Sequence, residues 1–219
     1  MPLYLIATPI GNKDDIGIRA LEILRQTKTI ILEERKESTQ FLRAHGISGK
    51  DYRELNEHST ADDLRDLVKL CEADDTALIT DCGTPGFCDP GADLVRLCRE
   101  KGIPVFSVPG PSSLMGLLSL SSRRIDQFVF RGFLSAESET RAKQWQELKR
   151  EKRAVVLMDT PYRLEKMMTE LCENFGDRTI LLTLNLTQST EQILEGRPEA
   201  VKRQIREKKA EFMVLVYSS

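Results

Sequence analysis

Residues 81–91, D-C-G-T-P-G-F-C-D-P-G, hold three glycines and two prolines. They follow the apolar run Thr76-Ala77-Leu78-Ile79-Thr80 and precede a helix-like segment at 92–101. Neither a strand nor a helix interior tolerates that composition, so a rigid loop is expected at the end of a buried strand. The chemistry on offer is that of the main chain. Glycine lets a ligand approach backbone N–H and C=O groups closely, and open α/β sheets bind ligands outside the carboxyl ends of their strands. The same loop also suits a tight turn that needs φ > 0 and nothing more. Two further loops of this kind turn the reading toward a ligand cleft. Pro9-Ile10-Gly11-Asn12 follows the apolar residues 3–8, and Pro109-Gly110-Pro111-Ser112-Ser113 follows Val105-Phe106-Ser107-Val108. Ser112 or Ser113 is a candidate N-cap, with helix-start amides suited to a carboxylate. Neither G-x-G-x-x-G nor G-x-x-x-x-G-K-[ST] occurs, so the expected ligand lacks phosphates and is read by main-chain hydrogen bonds.

Strands and helices must alternate to place these loops, and the apolar pattern alternates from end to end. Strands are expected near 3–8, 28–33, 52–55, 76–81 and 104–108, then near 127–132, 153–159, 179–186, 189–195 and 211–217. Helices of the second series are expected at 138–151, 163–175 and 198–208. A helix over 110–122 ends in Ser121-Ser122-Arg123-Arg124, the best linker in the chain. The expected fold class is therefore α/β, with two domains, 1–122 and 123–219, of about five strands each, rather than one sheet of about ten.

Composition narrows the partners. The 219 residues carry a formal net charge of −2, which gives no global basic field for nucleic acid. No apolar run approaches the roughly 18 residues that span a bilayer. Met1-Pro2 leads directly into the first strand without a secretory leader, so no membrane association and a cytoplasmic location are expected. Five scattered cysteines without C-x-x-C, and only two histidines, argue against a disulfide framework and against any metal site. Cys82 and Cys88 lie in the glycine-rich loop and read as small packed residues rather than nucleophiles. Residues 141–153 are locally basic and include Trp145, the one tryptophan. That segment reads either as a phosphate-binding and stacking surface or as a surface helix that packs Trp145 and Leu148 inward, the reading favoured here. Residues 197–209 pose the same choice.

Taken together and in order, the loops resemble the tetrapyrrole methylase superfamily of S-adenosylmethionine-dependent methyltransferases. Within it they are most similar to the branch that methylates a ribose 2′-hydroxyl of 16S, small-subunit ribosomal RNA. The matching pieces are Ala7-Thr8-Pro9-Ile10-Gly11-Asn12 with Asp15-Ile16 and Arg19-Ala20-Leu21, then residues 81–91 and 109–113. Gly132-Phe133-Leu134, Pro161-Tyr162-Arg163-Leu164 and Leu186-Thr187 with Glu191 and Gly196 complete the set. The resemblance implies two α/β domains with the cofactor cleft between them, and a homodimer. It implies that Pro9, Gly83, Thr84, Pro85, Phe87, Ser112 and Ser113 surround S-adenosylmethionine, with Leu184 and Asn185 closing the far side. The substrate side departs from that branch. Glu33-Glu34-Arg35-Lys36 stands for Glu-Asp-Thr-Arg, Leu184-Asn185-Leu186-Thr187-Gln188 for Arg-Glu-Leu-Thr-Lys, and Asn56-Glu57-His58-Ser59 for His-Glu-His-Asn. The extra C-terminal helical segment of the branch has no counterpart in these residues.

Methyl transfer from a sulfonium is an in-line displacement, governed by holding the reacting atoms collinear and about 3–3.5 Å apart. A hydroxyl acceptor gains from a base that takes its proton. Glu33 or Glu34, at the end of the second strand, is the candidate base, with Arg19 and Arg35 orienting the acceptor; the run E-E-R-K-E reads equally as an acidic helix start. Asp81 and Asp89 are expected to cap loop amides, or to meet a ribose directly. Three functions follow from the resemblance: an RNA ribose methyltransferase, a methyltransferase of a tetrapyrrole or other small molecule, and a non-catalytic S-adenosylmethionine-binding protein.

Overall fold

A computed structural model describes residues 1–89 and 91–218. Pro90, which belongs to the glycine-rich loop in sequence, and Ser219 lie outside the described residues. The chain divides into two compact units, Met1–Ser112 and Ser113–Ser219.

The first unit holds β1 (Leu3–Ile6), α1 (Ile18–Gln26), β2 (Thr29–Leu32), α2 (Arg35–Ala44), β3 (Asp51–Glu54), α3 (Ala61–Ala73), β4 (Thr76–Leu78), α4 (Gly91–Glu100) and β5 (Val105–Val108). Its strands form one sheet in the order β3-β2-β4-β1-β5, every pairing parallel. All residues of β2 and β4 are buried, as apolar runs covered on both faces must be. Alternate residues divide between two cores. Ile6, Ile30, Leu32, Ala77 and Ile79 pack with Ala20 and Leu24 of α1 and Leu42 of α2. Leu3, Ile31 and Leu78 pack with Leu67 and Cys71 of α3 and Leu94 and Cys98 of α4. β1 and β4 are neighbours whose connections leave in opposite directions, β1 toward β2 and β4 toward β5. Neighbouring strands with connections that leave in opposite directions mark the carboxyl edge of the sheet as the ligand-binding edge in this architecture.

The second unit holds α5 (Ser113–Ser119), β6 (Phe128–Gly132), α6 (Ser138–Lys149), β7 (Ala154–Asp159), α7 (Leu164–Phe175), β8 (Ile180–Leu184), β9 (Gln192–Gly196), α8 (Pro198–Lys202) and β10 (Phe212–Val216). Its sheet runs β6-β7-β10-β8-β9, parallel only between β6 and β7. One face packs under α6, α7 and α8 through Trp145, Leu148, Met167, Leu171 and Val201. The other packs under α5 through Leu117, against Val156, Leu181 and Leu215. α5 thus shares its core with this sheet, and the division falls between Ser112 and Ser113, ten residues before the linker at Ser122. α8 stops at Lys202, short of the expected 208, and residues 205–207 are irregular.

Trp145 resolves the choice over the basic segment. It is 4% exposed and meets Phe175 edge-on, with ring centroids 5.8 Å apart. Lys143 and Arg153 pair with Glu139 and Glu151, and Arg141 is buried. α6 is a packed helix that turns Trp145 and Leu148 inward. Among the described residues, no helix is long and apolar enough to cross a membrane.

Candidate functional site

Three loops at the carboxyl ends of β1, β4 and β5 are tied together by their own main chain. Thr8 N–H donates to Gly83 O at 2.9 Å, and Gly83 N–H returns a bond to Thr8 O at 3.1 Å. The Thr8 hydroxyl, buried, donates to Thr80 O at 3.1 Å. The Thr84 hydroxyl reaches Pro111 O at 3.2 Å, which joins the second loop to the third. Glycine matters at Gly83 and at Gly110. Gly83 sits at φ 82°, in the left-handed region. A Cβ on Gly110 would lie 3.1 Å from Ala7 Cβ and 3.4 Å from Ala7 O, so a side chain there would force the third loop and the end of β1 slightly apart.

Asp89 sets the shape of the second loop. Its carboxylate accepts from the amides of Gly86 and Gly91 at 2.8 Å and of Phe87 at 3.3 Å. This is the amide-capping role expected of it, and it leaves the Phe87 ring 49% exposed. Asp81 acts outside the loop. It accepts from Glu34 N–H at 3.2 Å and from the Ser38 hydroxyl at 3.3 Å, while its own N–H donates to Glu33 Oε2 at 3.4 Å. The second loop is thereby anchored to the end of β2. Cys82 and Cys88 are exposed, which corrects the expectation that they pack; a loop held by an aspartate and main-chain bonds has no core for them to fill. Partial desolvation and the Asp89 charge push the Cys88 thiol up, so its thiolate is disfavoured.

The two glutamates after β2 have opposite environments. Glu34 is the N-cap of α2, accepting from the amides of Lys36 at 3.1 Å and Glu37 at 2.9 Å. Those bonds hold its carboxyl below the ordinary value. Glu33 is half-buried, and desolvation pushes its carboxyl up, opposed by the Asp81 amide and reinforced by the charges of Asp81, Asp89 and Glu57. Asp81 is raised for the same first reason. Adjacent carboxyls with proton affinities driven apart are the usual mark of divided labour in a site. Arg35 donates to Glu54 Oε1 at 2.8 Å and to Tyr52 O at 3.1 Å, which fixes it on the edge strand β3. Arg19 is exposed on α1 and, among the described residues, has no hydrogen-bond or ion-pair partner. Pro9 and Pro85 are buried and Thr84 is exposed. His58 is exposed, 3.7 Å from Glu57.

In the second unit, Ser113 begins α5, a helix of seven residues. Leu184 is fully buried in the core between β10 and β9. Asn185, at φ 48°, spends its side chain on Thr190 Oγ1 (2.9 Å) and Glu211 N–H (3.0 Å). What these two positions offer a ligand is therefore main chain. Thr187, a β-branched residue at φ 63°, is held there by Glu191, whose Oε2 accepts its N–H at 2.6 Å. Sequence reasoning missed a buried network in this unit. Arg141, 2% exposed, donates to Glu170, to Asp159 Oδ2 at 3.1 Å, and to the carbonyls of Leu134 and Ser135 at 3.2 Å. The one signal for it was an arginine at a core-facing position of α6. Among the described residues, no group of three or more His, Cys, Asp or Glu side chains could hold a metal.

Strand-end loops that present main chain, beside a carboxyl of raised proton affinity, define an α/β protein built to hold a small ligand at a sheet edge. The chain belongs to the tetrapyrrole (corrin/porphyrin) methylase family, whose sequence model matches residues 2–202, and is a methyltransferase. It is 37% identical over 196 residues to the ribosomal RNA small subunit methyltransferase I of Neisseria meningitidis serogroup B, covering 89% of this chain and 67% of that protein. The protein of the same name from Leptospira biflexa is 31% identical over 215 residues, covering 98% of this chain and 90% of its own. The crystal structure of uroporphyrin III C-methyl transferase from Thermus thermophilus superposes with a TM-score of 0.67 over 99% of this chain and 97% of that one. At 16% identity it shares the fold alone.

Proposed function

We propose that this protein transfers a methyl group from S-adenosylmethionine to RNA, at a ribose 2′-hydroxyl of the small ribosomal subunit, and that it works as a cytoplasmic homodimer. The observation that carries the reading is the similarity to proteins named ribosomal RNA small subunit methyltransferases across 89–98% of the chain. The loop geometry suits that cofactor. Pro9, Gly83, Thr84, Pro85, Phe87 and Ser112 belong to three loops that the Thr8–Gly83 main-chain pair and the Thr84 hydroxyl join, without a phosphate cradle. Glu33, Asp81 and Asp89 give these loops a negative field, which favours a cationic sulfonium and disfavours a polyphosphate. When bound, S-adenosylmethionine supplies an electrophilic methyl group.

Glu33 is the residue placed to take the acceptor proton. Its burial raises its affinity for that proton, and no cation is hydrogen-bonded to it among the described residues. Glu34 caps the N-terminus of α2. Arg19, unpaired, is the candidate for orienting a phosphate of the acceptor strand; Arg35 is committed to β3. The test is incubation of the purified protein with methyl-labelled S-adenosylmethionine and either small ribosomal subunits or a small-molecule fraction. Label in RNA that resists alkaline hydrolysis at one position is the expected result. Label in small molecules only would overturn the proposal.

A further inference from the structure

We propose that Phe133, Tyr162 and Lys209 form a stacking platform for unpaired bases of the substrate RNA; the inference rests on the RNA reading above. Phe133 follows β6 and is 45% exposed, and Tyr162 follows β7 and is 79% exposed. β6 and β7 are parallel neighbours, so both rings leave the same edge of the second unit's sheet. Lys209 Nζ lies 3.7 Å from the centroid of the Tyr162 ring. Tyr162 remains largely in solvent all the same, with ring surface left to stack. Arg163, beside it, donates to Asp159 Oδ1 at 3.3 Å and is about one-third exposed. The platform is built on a rigid base. Buried Arg141 binds the main chain after β6 through Leu134 O and Ser135 O, and the end of β7 through Asp159 Oδ2. Asp159 Oδ1 in turn accepts Thr160 N–H at 2.9 Å, which sets the start of the Tyr162 turn.

The pattern selects the occupant. Exposed aromatic rings beside lysine and arginine fit single-stranded nucleic acid, in which bases stack and phosphates meet cations. The cations Arg206, Lys208 and Lys209 cluster in the segment that supplies Lys209, and all three are exposed. The basic helix α6 supplies nothing comparable, since its one aromatic ring, Trp145, is buried.

The test is fluorescence anisotropy of the full chain with a labelled, mixed-sequence single-stranded RNA of about twelve nucleotides, and with an abasic strand of equal length. Phe133→Ala and Tyr162→Ala should each weaken binding of the base-bearing strand by roughly 5- to 100-fold and leave the abasic strand unchanged. Tyr162→Phe should bind within about twofold of wild type, because it keeps the ring. Lys209→Ala should weaken both strands alike and reduce the salt slope by about one. Unchanged RNA affinity in both alanine variants, with label still entering ribosomal RNA, would overturn the platform and leave the RNA reading standing. A change of oligomeric state in Tyr162→Ala at unchanged RNA affinity would assign the patch to a protein contact and overturn it as well. No label in RNA from the wild type would overturn both.

Discussion

Glu33→Gln isolates the proton-accepting role of one carboxylate. The amide is isosteric and keeps an oxygen to accept the Asp81 N–H that Glu33 accepts at 3.4 Å, so the anchor between β2 and the second loop survives. What is lost is the charge and the affinity for a proton. A general base contributes typically about 10²- to 10⁴-fold, so turnover at neutral pH should fall by that factor, equivalent to about 3–5 kcal/mol in the barrier. Binding of S-adenosylhomocysteine, measured by calorimetry, should change little. The stability readout has the opposite sign. Burial raises the Glu33 pKa above its ordinary value of 4.5, so the native state favours the protonated form. Relative to the glutamine variant, wild type should therefore lose stability as pH rises from the ordinary value through the raised native one, and show no such difference below the ordinary value. The acid limb of wild-type turnover should fall at that raised value, because only the ionised carboxylate accepts a proton. Single-turnover methyl transfer and urea unfolding across pH measure both. Turnover within threefold of wild type, about 0.6 kcal/mol, with an unmoved acid limb would refute the assignment.

Two further substitutions test the scaffolding. Glu34→Ala removes the cap of α2, and its expected outcome is a lower melting temperature with turnover per folded molecule preserved; a loss of turnover comparable to that of Glu33→Gln would show that the two acids were assigned the wrong way round. Arg141→Met leaves Asp159 and Glu170 without their shared cation and two carbonyls without a donor. Breaking a buried pair on one side costs about 3–5 kcal/mol, which a shift in urea midpoint at constant slope would register; a cost below about 1 kcal/mol would mean that Arg163 and water replace it fully.

Most of the fold was legible because its signals are local. Strand-length runs, mostly apolar and punctuated by glycine, proline and charged helices, marked ten strands near the places found, including the edge strand 51–54 whose sequence is mostly polar. The helix start that occupies Glu34 is local and was legible, whereas the burial of Glu33 comes with Asp81, 48 residues on in sequence, and was not. The exposure of Cys82 and Cys88 depended likewise on Asp89, which holds the loop with main-chain bonds and leaves no apolar interior. The place of division between units turned on which core Leu117 enters, a fact of packing that a serine-rich stretch does not encode.

The run from Glu33 to Arg35 argues for its own function. Three consecutive charged residues leave one strand, and the fold occupies two of them: Glu34 with the amides of α2, Arg35 with Glu54 and the Tyr52 carbonyl. Glu33 alone is pulled from solvent, and the charges that raise it are all carboxylates, Asp81, Asp89 and Glu57. A fold selected only for stability would pair such a group with a nearby arginine, yet Arg35 is bound elsewhere and Arg19 stays in solvent. Desolvation that the Asp81 amide offsets only in part, at a strand end beside loops that present main chain, is the environment the proposed proton acceptor needs.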